Sequence, residues 1–162
     1  MMKRTLNKLI KKIPEMKDLD ITIENSNNCR CRINLESGHM EIILEKSFKR
    51  LLERSKLSFD VIRDMIRARV SIEPTYEVLI QFAILHEYGH YLDFKKMALT
   101  EVETYIDTQK ADFAFLCETL EEDAETEQII NIAYREMPME VAADNYAISE
   151  LIKIYKRRAS HE

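Results

Sequence analysis

The hydrophobic period changes twice along this chain, and that limits the folds open to it. Between Ile21 and Glu45 apolar residues alternate with polar ones; before and after that stretch they recur three and four residues apart. A period of two belongs to strands and one of about 3.6 to helices. A short sheet inside an otherwise helical chain follows. Only two Gly and three Pro interrupt the 162 residues, which suits long helices and few tight turns. The length supports one domain around one core.

Met2, Leu6, Leu9, Ile10 and Ile13 define an amphipathic helix that ends near Pro14. Its polar face is basic, with six Lys/Arg and one Glu over Met1 to Lys17, and reads as a solvated surface. Ile21 and Ile23, then Cys31, Ile33 and Leu35, then Met40, Ile42 and Leu44 mark three strands. Asn25 to Asn28 is a turn cluster and Ser37-Gly38 a two-residue hairpin signal. The expected sheet is a three-stranded antiparallel meander with one apolar face, which needs a helix to cover it.

Phe48, Leu51 and Leu52 begin the next helical stripe. Ser58 can cap a helix carrying Val61, Ile62, Met65, Ile66 and Val70. After Pro74, Thr75 can cap a helix running through Val78, Phe82, His86 and His90. It is apolar over more than half its circumference, as a central buried helix would be. Residues 101–131 form an acidic helical insertion: Glu101 to Glu127 holds ten Asp/Glu against the single Lys110. Val102, Tyr105, Ile106, Phe113, Leu116, Cys117 and Leu120 anchor it, and Ile129, Ile130 and Ala133 continue the pattern. Pro138 suits the first turn of a last helix through Val141, Ala142, Ala147, Ile148, Leu151 and Ile154. The fold class is α+β: a mostly helical single domain with a short sheet beside its central helix.

Several function classes drop out. The net charge of −5 gives no whole-protein basic footprint, so stable nucleic-acid binding is not expected. No apolar run reaches the roughly 18 residues of a membrane span. The lysine-rich start lacks the apolar core of a signal peptide. Three Cys, an odd number, make no disulfide framework. These features predict a cytoplasmic protein with free thiols. Cys29 and Cys31, two apart, share one face of a strand.

One segment carries chemistry: Ile84-Leu85-His86-Glu87-Tyr88-Gly89-His90-Tyr91-Leu92-Asp93. It places H-E-x-x-H on the predicted central helix. Residues i and i+4 lie on one face, so two imidazoles can reach one metal at about 2.0–2.1 Å. Glu87 projects beside them, where its carboxylate can act as a base without ligating. A helix with two core histidines is the plain alternative, but an unpaired buried Glu87 would be costly there.

Two histidines need a further protein ligand. Arg135-Glu136-Met137-Pro138-Met139-Glu140-Val141-Ala142-Ala143-Asp144-Asn145-Tyr146-Ala147 offers it. Glu140 and Asp144 share a helix face, and Ala142, Ala143 and Ala147 permit close approach. Glu140, with the longer arm, is the expected third ligand. Asp144 then accepts the free N–H of an imidazole and fixes its tautomer. Glu136 and Asp93 rank lower, although Asp93 could orient His90.

H-E-Y-G-H followed by E-V-A-A-D-N-Y-A resembles the two-part signature of small gluzincin metallopeptidases, most closely the ImmA/IrrE type. The resemblance is sharp over Leu85 to Asp93 and Pro138 to Ala147. It implies a zincin-like metallopeptidase domain over residues 1–162, with one Zn2+ per chain on His86, His90 and Glu140. It implies Glu87 as catalytic base and a protein or peptide substrate, with transcriptional repressors in the candidate class. Zinc in such a site lowers the pKa of its water toward about 7. Glu87 would take the proton and pass it to the leaving amine. Tyr134, Tyr146 and Tyr105 are candidate oxyanion donors. An extended substrate could pair with a free strand edge. The acidic stretch, with Glu121, Glu122 and Asp123, could favour basic substrates or act as a lid. Two other classes remain at this level: a catalytically silent module with a structural zinc, and a metal-free helical interaction protein.

Overall fold

A computed structural model describes residues 1–26, 28–118 and 124–159, with side chains at all of these except 116, 124–128, 131 and 157–159. Leu120, Glu121, Glu122 and Asp123 therefore lie outside the described residues. Helix α1 (Met2–Ile10) buries Met2, Leu6 and Leu9, and the chain then makes a 3-10 turn over Pro14–Asp18. Three strands follow: β1 (Asp20–Glu24), β2 (Arg30–Ile33) and β3 (Met40–Glu45). The remainder is helical: α2 (Phe48–Arg54), α3 (Lys56–Val70), α4 (Tyr76–Phe94), α5 (Leu99–Glu118), α6 (Ala124–Glu136) and α7 (Pro138–Ala159). This is an α+β fold, mostly helical with one small sheet. Among the described residues no helix is long and apolar enough to cross a membrane.

The sheet is mixed rather than an antiparallel meander. Its order is β1-β3-β2; β3 pairs antiparallel with β2 but parallel with β1. Alternation reports which face a residue occupies and says nothing of which strands are neighbours. Ile42, Ile43 and Leu44 of β3 are consecutive and all buried, so both faces of this strand are covered; its central place is set separately, by pairing with β1 and β2 on its two edges. The chain leaves β1 on one edge of the sheet and enters β2 on the other, about 10 Å or two strand spacings away.

Other boundaries also shift. The β2–β3 link is longer than a two-residue turn. Asn34 and His39 close it (Asn34 N–H to His39 O, 2.8 Å), and Gly38 takes the left-handed φ of 71° there. Asn34 Oδ1 accepts from the backbone N–H groups of Glu36 and Ser37, an Asx turn that competes with the tight hairpin. Ser58 lies within α3 rather than at its start, because α2 and α3 break at Ser55. The buried face of α3 is Phe59, Ile62 and Ile66, which leaves Val61 exposed. Val141 and Ile129 are exposed as well. Thr75 does cap α4, accepting from Val78 N–H at 3.4 Å, and Pro138 is the first residue of α7.

The centre of the molecule is α4 against α7. From Val78 to His90 every residue of α4 is buried. Gly89 sets how close the two helices come: a Cβ there would lie 3.0 Å from Ala143 Cα and 3.3 Å from Ala143 O. Ala143 and Ala147 are fully buried in the same seam. Small residues at a helix crossing allow the backbones to approach, and short side chains on α7 then reach those of α4.

Candidate metal centre

The α4–α7 seam brings His86, Glu87 and His90 to Glu140 and Asp144, all at most 7% exposed. The Nε2 atoms of His86 and His90 are 3.1 Å apart. Glu140 closes the triangle, with Oε2 3.2 Å from His86 Nε2 and Oε1 3.4 Å from His90 Nε2. Tetrahedral ligands at 2.0–2.1 Å from a common ion are separated by about 3.3 Å. The three side chains thus form a buried group that could hold a metal ion. Two imidazole lone pairs cannot face each other at 3.1 Å without a proton or a cation between them.

Asp144 Oδ1 lies 2.8 Å from His86 Nδ1, so the outer nitrogen of that ring donates and the inner one is free to face the triangle. Burial alone would lower the His86 pKa. Hydrogen bonds to Asp144 and Glu140 outweigh it and raise the pKa to about 9. Burial would raise Glu140, but the adjoining His86 and His90 imidazoles hold it well below the usual carboxylate range. Glu140 Oε2 is otherwise a buried oxygen with no hydrogen-bond partner, a need that a cation would meet.

Glu87 is buried on the same turn but outside the triangle. Burial pushes its pKa up, against the pull of His86 and His90, and the Cys31 backbone N–H donates to its carboxylate. The outer edge of β2 therefore faces this group. Cys29 and Cys31 are free thiols pushed up to about 12, first by burial and then by Glu87. Protonated thiols of that kind are poor ligands and nucleophiles.

Of the three tyrosines named from sequence, one reaches the centre. The Tyr134 hydroxyl donates to Glu140 Oε1 at 2.9 Å. Tyr146 packs edge-on against Tyr88, and Tyr105 lines a separate outer groove with Thr100, Glu101, Thr104 and Thr108. Asp93 bonds to Lys96 at 2.9 Å rather than to His90. Glu136 is the last residue of α6.

Arg135 joins the centre although no motif in the sequence gives it a role. Its Nη1 donates to Asp144 Oδ1 at 2.9 Å and stands 3.6 Å from Glu140 Oε2. The available signal was a lone cation just before the Pro138 helix start, within reach of two acids after a fold-back. Glu87, Glu140 and Asp144 are three carboxylates against the one guanidinium of Arg135. With neutral imidazoles, two negative charges stay uncompensated, and a divalent cation would balance them.

The polar cluster opens on a cavity of about 290 Å³. His86, Glu87, Tyr134, Arg135 and Glu140 form one side of it. Comparison with known proteins adds no neighbour to this geometry: no family model, no curated protein and no solved structure matches the chain.

Proposed function

We propose that this protein is a zinc-dependent metallopeptidase that hydrolyses a peptide bond in a protein substrate, in the manner of the site-specific regulatory peptidases its motifs resemble. One observation carries the reading. Glu87 is a buried carboxylate with its pKa raised by burial, beside the His86–His90–Glu140 triangle but not part of it. A closed structural site has no use for such a group, whereas hydrolysis needs a base near neutral pH. The His2Glu donor set suits zinc. The zincin-like arrangement, with a sheet edge beside the active-site helix, belongs to the same proposal.

Zinc held by His86, His90 and Glu140 would supply Lewis acidity and an activated water at neutral pH. Asp144 fixes the His86 tautomer, and Arg135 holds Asp144. Glu87 accepts the proton of the attacking water and delivers it to the leaving amine. Tyr134 is the candidate donor to the developing oxyanion. The outer edge of β2, on the side of Glu87, pairs with no other strand among the described residues, which supports an extended substrate laid along it.

The test begins with metal content, on protein purified without added metal or chelator. About one zinc per chain is expected, and none in His90→Ala. Equal loading of both would remove the centre. Glu87→Gln should keep zinc and fold while cleavage of a peptide pool, read by product mass, falls by about 100- to 10,000-fold. Full turnover in that variant would remove Glu87 from the mechanism. Zinc without turnover in the wild type would favour a silent module with a structural metal.

A further inference from the structure

Arg135 stands where a second cation would be opposed. It lies one residue before the end of α6, and its side chain is only 14% exposed. Its Nη1 is 2.9 Å from Asp144 Oδ1 and 3.6 Å from Glu140 Oε2. The first contact is a hydrogen bond; the second is too long for one and acts through charge. Both come from the same nitrogen, while Nε is buried with no hydrogen-bond partner. A guanidinium placed to brace carboxylates would turn its planar fork on them. This one makes a single bond to Asp144 and sets its charge beside an oxygen of a candidate ligand. The preceding residue, Tyr134, donates to the other oxygen of that ligand, Oε1, at 2.9 Å. Two consecutive residues at the end of α6 thus attend both oxygens of Glu140.

We propose that Arg135 is a tethered counter-ion: it stabilises the metal-free centre and competes with zinc for Glu140, and so sets the free zinc concentration at which the site loads. The inference rests on the His86–His90–Glu140 metal centre and not on peptide cleavage. Without metal, Glu140 and Asp144 are buried acids, and Arg135 is a cation close to both. A dication held by Glu140 meets that same positive charge, and salt screens a buried pair only weakly. Linkage ties the two effects together. Whatever Arg135 adds to the metal-free state beyond what it adds to the loaded state is subtracted from zinc affinity. A residue that only braced Asp144 would act with the opposite sign: its loss would leave His86 less well oriented and weaken zinc binding.

The test uses binding and melting, not turnover. Zinc affinity of the full chain is measured by competition with a chromogenic chelator, in wild type, Arg135→Gln and Arg135→Lys. Gln keeps a donor for Asp144 and drops the charge; Lys keeps the charge. Arg135→Gln should bind zinc about tenfold more tightly, within the usual span of couplings between sites. Its metal-free form should melt several degrees below the metal-free wild type, and its zinc-loaded form close to the loaded wild type. Arg135→Lys should stay within about threefold of wild-type affinity. Unchanged or weaker zinc binding by folded Arg135→Gln would overturn the counter-ion, and an equal gain in Arg135→Lys would do the same, since charge would not be the cause. If metal-free Arg135→Gln does not fold, protein refolded in excess zinc is challenged with chelator instead. Zinc should then leave it about tenfold more slowly than it leaves wild type, and equal or faster loss would overturn the proposal. Failure of the wild type to bind zinc at all would remove the metal centre, and this reading with it.

Discussion

The α4–α7 pair and the α5–α6 hairpin both contribute to the centre, in opposite ways. α4 and α7 meet over Gly89, Ala143 and Ala147, and their candidate ligands sit in a seam with almost no exposed surface. α5 is acidic and, among its described side chains, largely exposed. Phe115 on α5 is 71% exposed, and the pair touches the centre through Tyr134 and Arg135 at the end of α6. Phe113 of α5 braces Tyr134 edge-on, with ring centroids 5.6 Å apart. The lesson is a division of labour. The ligand triangle is a product of tight helix packing, which resists small changes. The polar rim is a product of an element that can change with little effect on the core. Among its described residues the acidic insertion over residues 101–131 itself contributes no lining residue; it leads into Tyr134 and Arg135, which do.

Substitutions can break that division. The largest effect should come from Gly89→Leu. A side chain there meets the Ala143 backbone and Tyr146 Cβ, so α7 must move. A loss of about 3 kcal/mol in urea unfolding is expected, with weaker zinc binding. Unchanged stability would mean that the seam is looser than its contacts imply. Gly89→Ala should cost less, because the better helix propensity of Ala returns about 1 kcal/mol.

Asp144→Asn leaves the packing and removes the acceptor of His86 Nδ1. Zinc affinity should fall about 10- to 100-fold with the melting temperature of the metal-free chain altered far less. An equal fall for Glu136→Gln, a residue outside the seam, would undercut the assignment.

Metal-free protein should carry a pH signature of the same seam. The folded-state pKa of His86 is about 9, above its ordinary 6.5. The folded chain therefore holds this proton longer than the unfolded chain does. The resulting stability is fully present below pH 6.5 and is lost as the pH rises through about 9. Melting of chelator-treated protein across that window should show a loss on the order of 3 kcal/mol. His86→Gln should flatten the curve. A steeper stability loss on the acid side of that window, with none above it, would contradict the sign.

The smallest effect on the fold should follow Phe113→Leu in the hairpin. Loss of one edge-on ring contact is worth about 1 kcal/mol or less, with zinc affinity unchanged. Turnover should fall through misplacement of Tyr134, which kinetics of the zinc-loaded variant would report. A large loss of zinc affinity would show that the hairpin supports the triangle as well as the rim.

The sequence showed most clearly what depends on a single helix. The i, i+4 spacing of His86 and His90 and of Glu140 and Asp144 is local, and the structure joins the two pairs across one seam. Thr75 and Pro138 marked helix starts for equally local reasons. What stayed hidden depends on elements distant in the chain. The alternation of Met40, Ile42 and Leu44 marked a strand, but nothing local encodes that β3 pairs in parallel with β1 as well as antiparallel with β2. Arg135 reaches Asp144 because the chain reverses at Pro138, and no periodicity encodes a reversal. Leu51, Phe59 and Ile62 read as ordinary core residues; their place on a cavity wall depends on the packing of three helices.

The passage of the chain from β1 to β2, on opposite edges of the sheet, has a consequence for engineering. Residues 25–29 resemble a dispensable polar turn, the kind of site normally chosen for a tag, a graft or a shortened loop. Here the chain must reach the far edge of the sheet between Glu24 and Arg30, and Asn28 and Cys29 line the cavity. Trimming this segment would pull β2 off its edge position and take with it the backbone N–H that holds Glu87. The β2–β3 link at Leu35 to Gly38, on the same sheet but apart from the cavity, is the safer place to cut or insert.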